Sequence, residues 1–184
     1  MKILITGNKN KGLAKVLYKH FSQNHEVECI SREGLMDLST IKGREELTYG
    51  SIVFDVFINC SKLHSFNQTI ILKKVWDRWM STTNKGHIIN IGSTVDTGLK
   101  GGSRLYTVEK VALRNLSRKL SLDATSGNGI KVTYLSLGYL DTLGVSFADK
   151  IKISLEEVCN TIQWILDFPV NVNINEISMD PIQK

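Results

Sequence analysis

Two rhythms alternate along this chain. Short apolar runs rich in β-branched residues, Lys2–Thr6, Glu26–Ile30, Ser51–Asn59, His87–Ile91, Ile130–Leu137 and Val172–Ser178, have the composition of strands, and those at 2–6 and 87–91 read as buried. Between them apolar positions recur every three or four residues. That spacing predicts helices over 13 to about 23, 39–49, 65 to about 82, 104 to about 126 and 155–168. The longest carries Val108, Val111, Ala112, Leu116, Leu120 and Leu122, a face wide enough to cover a sheet, and Gly127-Asn128-Gly129 ends it. Strand and helix in turn predict an α/β fold whose sheet is mainly parallel and flanked by helices in three layers.

Composition sets the outer bounds. The 184 residues fit one domain, 1–184, and 42% hydrophobic with 22% charged residues is ordinary globular usage. Met1 leads directly into the first strand and no window is long and apolar enough to span a bilayer, so a cytoplasmic protein is expected. Cys29, Cys60 and Cys159 are far apart and, like the four histidines, lack ligand spacing; reduced thiols and no metal are expected. The net charge of +5 is spread without a basic run or a nucleic-acid-binding signature, which argues for a polyanionic small ligand and against nucleic acid.

Candidate chemistry concentrates in Gly86–Lys110. The strand His87–Ile91 stops at Gly92-Ser93, so Ser93 falls at a strand's carboxyl end, where ligands bind in open parallel sheets. Tyr106 and Lys110, four apart in the following helix, share one face. A hydroxyl, a phenol and an ammonium can therefore converge. At the amino end, Gly7-Asn8-Lys9-Asn10-Lys11-Gly12-Leu13 links strand to helix, a turn that lets backbone approach a pyrophosphate and aims a helix N-terminus at it.

Ser93 followed at this spacing by Tyr106-Thr107-Val108-Glu109-Lys110 resembles the short-chain dehydrogenase/reductase family, as an unusually short member. The resemblance implies a Rossmann-type, doubly wound sheet of about seven strands, a brief third one at Leu35–Leu38, binding NAD or NADP. It gives Gly7, Lys9, Asn10, Lys11, Gly12 and Leu13 to the phosphates and Asp37-Leu38 to the adenine. Ser31 and Arg32, a hydroxyl and a guanidinium where NAD-preferring members carry an acid, favour NADP over NAD. Asn59, Cys60 and Ser61 would lie against the cofactor, and Gly138, Leu140 and Thr142 at its nicotinamide end. Against the family pattern, the glycine loop is one residue longer, Ala14 stands for the last glycine, Lys62 for a glycine and Leu137 for a proline. Only Leu143–Ile153 stands where family members insert a lid, so an open active-site mouth is expected.

Hydride transfer to a carbonyl needs an acid near the oxygen and a group that stabilises the growing negative charge. Tyr106 is the expected acid, with its pKa lowered by Lys110, which would also hold ribose hydroxyls; Ser93 would fix the substrate oxygen. Asn67 falls near the family's proton-relay asparagine, or else caps its helix. Two functions stay open: an NADP-dependent oxidoreductase acting on a carbonyl/alcohol pair, assembled as a homodimer or homotetramer, and a catalytically idle nucleotide-binding sensor or partner-binding protein of the same fold.

Overall fold

In the computed structural model, residues 1–34, 36–82, 84–97, 105–123, 127–142 and 150–182 are described. Their strands are β1 (Lys2–Thr6), β2 (Glu26–Ile30), β3 (Val56–Asn59), β4 (His87–Ile91), β5 (Lys131–Leu137) and β6 (Glu176–Met179). The helices are α1 (Gly12–Phe21), α2 (Ile41–Gly50), α3 (Asn67–Met80), α4 (Leu105–Asp123) and α5 (Leu155–Leu166). All strand pairs are parallel, in the order β2-β1-β3-β4-β5-β6. The sheet turns direction at β1, whose neighbours are β2 on one side and β3 on the other. A crevice is expected beyond the carboxyl ends of β1 and β3.

Strand alternation builds the three layers. Ile3, Ile5, Ile89, Ile91, Leu135 and Leu137 point to one face and pack on Leu13, Leu17 and Phe21 of α1 and Val158, Ile162 and Ile165 of α5. Leu4, Phe57, Ile88, Val132 and Tyr134 point to the other, against Leu47 of α2, Ile71, Val75 and Trp79 of α3 and Leu113 and Leu120 of α4. Burying each such side chain contributes about 1.5–3 kcal/mol, and only a two-sided core accepts apolar residues at successive strand positions.

Three local expectations change. The described sheet has six strands; 36–38 form no strand because the chain after β2 enters a 3-10 turn at Arg32–Gly34, and Leu35 lies outside the described residues. The strand expected from Ser51 begins only at Val56, since Ser51–Val53 form a 3-10 turn that prolongs α2, with the Trp79 indole N–H on the Ser51 hydroxyl at 3.1 Å. The last strand starts at Glu176, because the side chain of Asn173 spends its hydrogen bonds on β5 backbone and Ser121. Most of the short segment expected in place of a lid, 143–149, lies outside the described residues, as does Arg104. Among the described residues no helix is long and apolar enough to cross a membrane.

Candidate active site

At the sheet's turning point lies a cleft of about 720 Å³, lined by Gly7 and Lys11 of the first loop, Ser31, Arg32 and Glu33 after β2, Asp37 to Ser39, Arg44 of α2, and Ser61 to Ser65 and Asn67 after β3. Gly7 has φ +143°, and a Cβ there would meet the Ala14 Cβ at 2.6 Å. Ala14 therefore fits where the family keeps glycine because Gly7 leaves it room. The Thr6 hydroxyl accepts the N–H groups of Cys60 and Ser61 at 2.9 and 3.0 Å and fixes the β3 turn beside this loop. No side chain caps α1, which starts directly after Lys11 on the cleft wall, so no capping side chain claims its first N–H groups.

Several expected cofactor residues line the cleft: Gly7, Lys11, Ser31, Arg32, Asp37, Leu38 and Ser61. Lys11 donates to the exposed Glu33 carboxylate at 2.7 Å, and the Asn8 amide donates to the same carboxylate. Lys9 and Asn10 stand in the exposed loop, Asn10 closing an Asx turn on Asn8 at 2.8 Å, while Gly12 and Leu13 open α1. Asn59 is buried in the sheet, its amide donating to Gln68 O and Asn90 Oδ1, both at 3.0 Å. Burial pushes the Cys60 thiol up to about 12, so it is an unreactive thiol. Gly138 donates to Met179 O, Leu140 pairs with Ile153, and Thr142 donates to Leu140 O, which places all three beyond the end of β5.

Ser93, Tyr106 and Lys110 meet as the spacing predicts. Ser93 and Tyr106 share a side-chain hydrogen bond, and the Lys110 Nζ stands 5.7 Å from the Tyr106 ring centroid. Lys110 is 6% exposed and donates to Gln68 Oε1 at 2.7 Å and Ile91 O at 3.0 Å. Burial drives its pKa down to about 8, against the opposing pull of Cys60 and Asp96. The expectation that Lys110 lowers the phenol is corrected. Burial raises the Tyr106 pKa, the Ser93 hydrogen bond works against that rise, and the Asp96 carboxylate adds to it.

The helix-start amide reaching this cluster is Gln68, not Asn67. Asn67 opens α3, donates to His64 O at 2.7 Å and accepts from the Arg44 guanidinium at 2.5 Å, a helix-end contact on the cleft wall. Gln68, one residue on, faces inward: its amide donates to Asn59 O and Ile91 O while its oxygen holds Lys110. Glu109, inside the Tyr106–Lys110 stretch, is buried and accepts the N–H of Phe66, steadying a turn in which Ser65 and Phe66 both have positive φ. Lys62, standing where the family pattern has glycine, lines the cleft, and its Nζ sits 5.2 Å from the Tyr106 ring centroid. Nothing in residue type marked Gln68 or Glu109, although both follow an expected site residue by one position or precede one.

No family model matches the sequence. Two curated relatives are an NADP-dependent 3-hydroxy acid dehydrogenase of Salmonella typhi, 27% identical over 119 residues covering 57% of this chain and 48% of that protein, and an uncharacterised oxidoreductase of Staphylococcus aureus, 28% identical over 106 residues covering 56% and 46%. The chain spans about half the length of the curated relatives it matches. Among solved structures, a short-chain dehydrogenase of Burkholderia cenocepacia in complex with NADP superposes with a TM-score of 0.80, at 15% identity and covering 97% of this chain and 88% of that one. The chain is similar in sequence to these oxidoreductases over little more than half of its length, and its fold is that of a solved short-chain dehydrogenase. The same fold is seen in serine dehydrogenase complexed with NADP+, which gives a TM-score of 0.79 at 20% identity over 98% and 95% of the two chains. A 4-hydroxyisoleucine dehydrogenase complexed with NADH gives 0.79 at 18% identity over 97% and 96%.

Proposed function

We propose that this chain is an NADP-dependent oxidoreductase that moves a hydride between a nicotinamide and a carbonyl/alcohol substrate. The observation that carries the proposal is the convergence of Ser93, Tyr106 and buried Lys110 beside a cleft of dinucleotide size whose walls suit such a ligand. The uncapped N-terminus of α1 suits a pyrophosphate, and Ser31 with Arg32 suits a 2′-phosphate. When bound, the nicotinamide supplies the hydride. Tyr106 gives the proton to the carbonyl oxygen; its raised pKa keeps the phenol protonated and so ready as an acid. Ser93 donates a hydrogen bond to the same oxygen. Lys110, fixed by Gln68 and Ile91 O, keeps one further N–H for a ribose hydroxyl and places positive charge beside the phenol as negative charge grows. The same reading makes the protein a cytoplasmic domain assembled as a homodimer or homotetramer through α4, where Leu105, Val108 and Leu122 are exposed.

A specific observation favours the second reading, a nucleotide-binding sensor without turnover: the Lys11–Glu33 pair and the Lys62 side chain both occupy cofactor-facing positions. Thermal-shift titration with NADP and NAD, followed by NADPH consumption over a carbonyl panel, separates the two. The oxidoreductase predicts a larger shift with NADP and NADPH consumption on at least one carbonyl. Binding without consumption on any member supports the sensor, and a larger shift with NAD removes the role given to Arg32.

A further inference from the structure

Below Ser93 lies a polar cluster that the mechanism does not use. Asp96 is three residues beyond Ser93 and its side chain is 0% exposed. It donates its own N–H to Ser93 O at 3.1 Å, and its carboxylate accepts the Tyr134 hydroxyl from β5. The Tyr134 oxygen in turn accepts the Ser93 N–H at 3.4 Å. Both backbone polar groups of Ser93 are thus held by Asp96, one directly and one through a phenol. A Cβ on Gly92 would overlap the Tyr134 ring, so the glycine before Ser93 is what admits this phenol. From α4, Arg114 faces Asp96 at 3.7 Å and bonds Glu176 of β6 at 2.5 Å. One carboxylate therefore links the loop after β4 to α4, β5 and β6.

We infer that Asp96, acting through Tyr134, is the positioning residue that sets the backbone of Ser93 and the electrostatic environment of Tyr106. The inference rests on the oxidoreductase reading for its effect on rate, but not for its effect on geometry. The charged and titratable groups facing Asp96 are Tyr134 from β5, Arg114 and Lys110 from α4, and Glu176 from β6. Its negative charge reaches both site groups, disfavouring ionised Tyr106 and favouring the Lys110 ammonium. A buried hydrogen-bond chain of this kind transmits a small displacement directly to the serine, and misplacement of a reacting group by about 1 Å costs on the order of a hundredfold in rate.

The test compares wild type, Asp96→Asn and Tyr134→Phe. With NADPH and a carbonyl that the wild type reduces, both variants are expected to lose about tenfold or more in kcat while cofactor Kd stays within about twofold. Independently of turnover, ¹³C-tyrosine resonances, with Tyr106 assigned from its loss in Tyr106→Phe, should show Tyr106 ionising at lower pH in Asp96→Asn, and the Ser93 amide should exchange about tenfold faster in Tyr134→Phe. If the wild type reduces no carbonyl, the oxidoreductase reading fails and the two resonance measurements still decide the positioning role. Should Asp96→Asn not fold, Tyr134→Phe, which keeps the ring over Gly92, decides alone by its Ser93 exchange. Unmoved Tyr106 ionisation in Asp96→Asn, or unmoved Ser93 exchange in Tyr134→Phe, overturns the inference.

Discussion

The cleft and the Ser93–Tyr106–Lys110 cluster beside it are built on different physics. On the β1–β3 side the ionic contacts are wet: Lys11 and Glu33, whose side chains are 70% and 59% exposed, meet beside the loop after β1, and Lys62 is exposed. Exposed pairs of this kind contribute about 0–1 kcal/mol and rearrange readily. On the β4–β6 side the charged groups are dry, Lys110 at 6% exposed and the Asp96 side chain at 0%, each held by fixed hydrogen-bond partners. The same charges interact more strongly where water is excluded, and removing one partner leaves the other uncompensated. One side is held by contacts that rearrange readily, while the other is fixed by buried hydrogen bonds of the protein itself.

The largest break in that comparison should come from Gln68→Leu. It strips one acceptor from the buried Lys110 ammonium and the donor from Asn59 O and Ile91 O, so a loss of about 1–3 kcal/mol in stability is expected by thermal or urea unfolding, with at least a tenfold loss in kcat/KM. A variant as stable and active as wild type would mean that the dry end is not preorganised by this side chain. A smaller effect is expected from Lys62→Gly on the wet end. Removing an exposed cation near the Tyr106 ring should change NADP affinity by about fivefold or less, measured by fluorescence or calorimetry. A change beyond tenfold would show that Lys62 belongs to the ordered part of the site.

The wet and dry ends also differed in how far the sequence announced them. Ser93, Tyr106 and Lys110 were legible because strand end and helical periodicity place them with little freedom, and the fold was legible because apolar residues at successive positions of β1, β4 and β5 require cover on both faces. Ser51–Val53 misled because Ile52 and Val53 have strand composition, while the turn prolonging α2 is stabilised by the distant Trp79. The third strand dissolved where 3-10 geometry at Arg32–Gly34 lets Glu33 meet Asn8 and Lys11. Gln68 took the position read onto Asn67 because one residue along a helix is about a 100° rotation, which decides between the cleft wall and the interior. Asp96, Arg114, Tyr134 and Glu176 come from four separate elements, and no local pattern could have joined them.

The central claim is that a protonated phenol at residue 106 serves as the acid beside a buried ammonium. Its most direct test is the NADPH-dependent reduction of a responsive carbonyl by wild type and Tyr106→Phe, followed across neutral to alkaline pH. The account predicts a loss of roughly 10²–10⁴ in kcat on removing the hydroxyl. For wild type it predicts a kcat/KM that is sustained below pH 8 and falls as pH rises through about 8, because Lys110 is an ammonium below that point and loses its proton above it. A Tyr106→Phe protein that keeps its rate within tenfold, or a wild-type profile that rises through that pH, would contradict it.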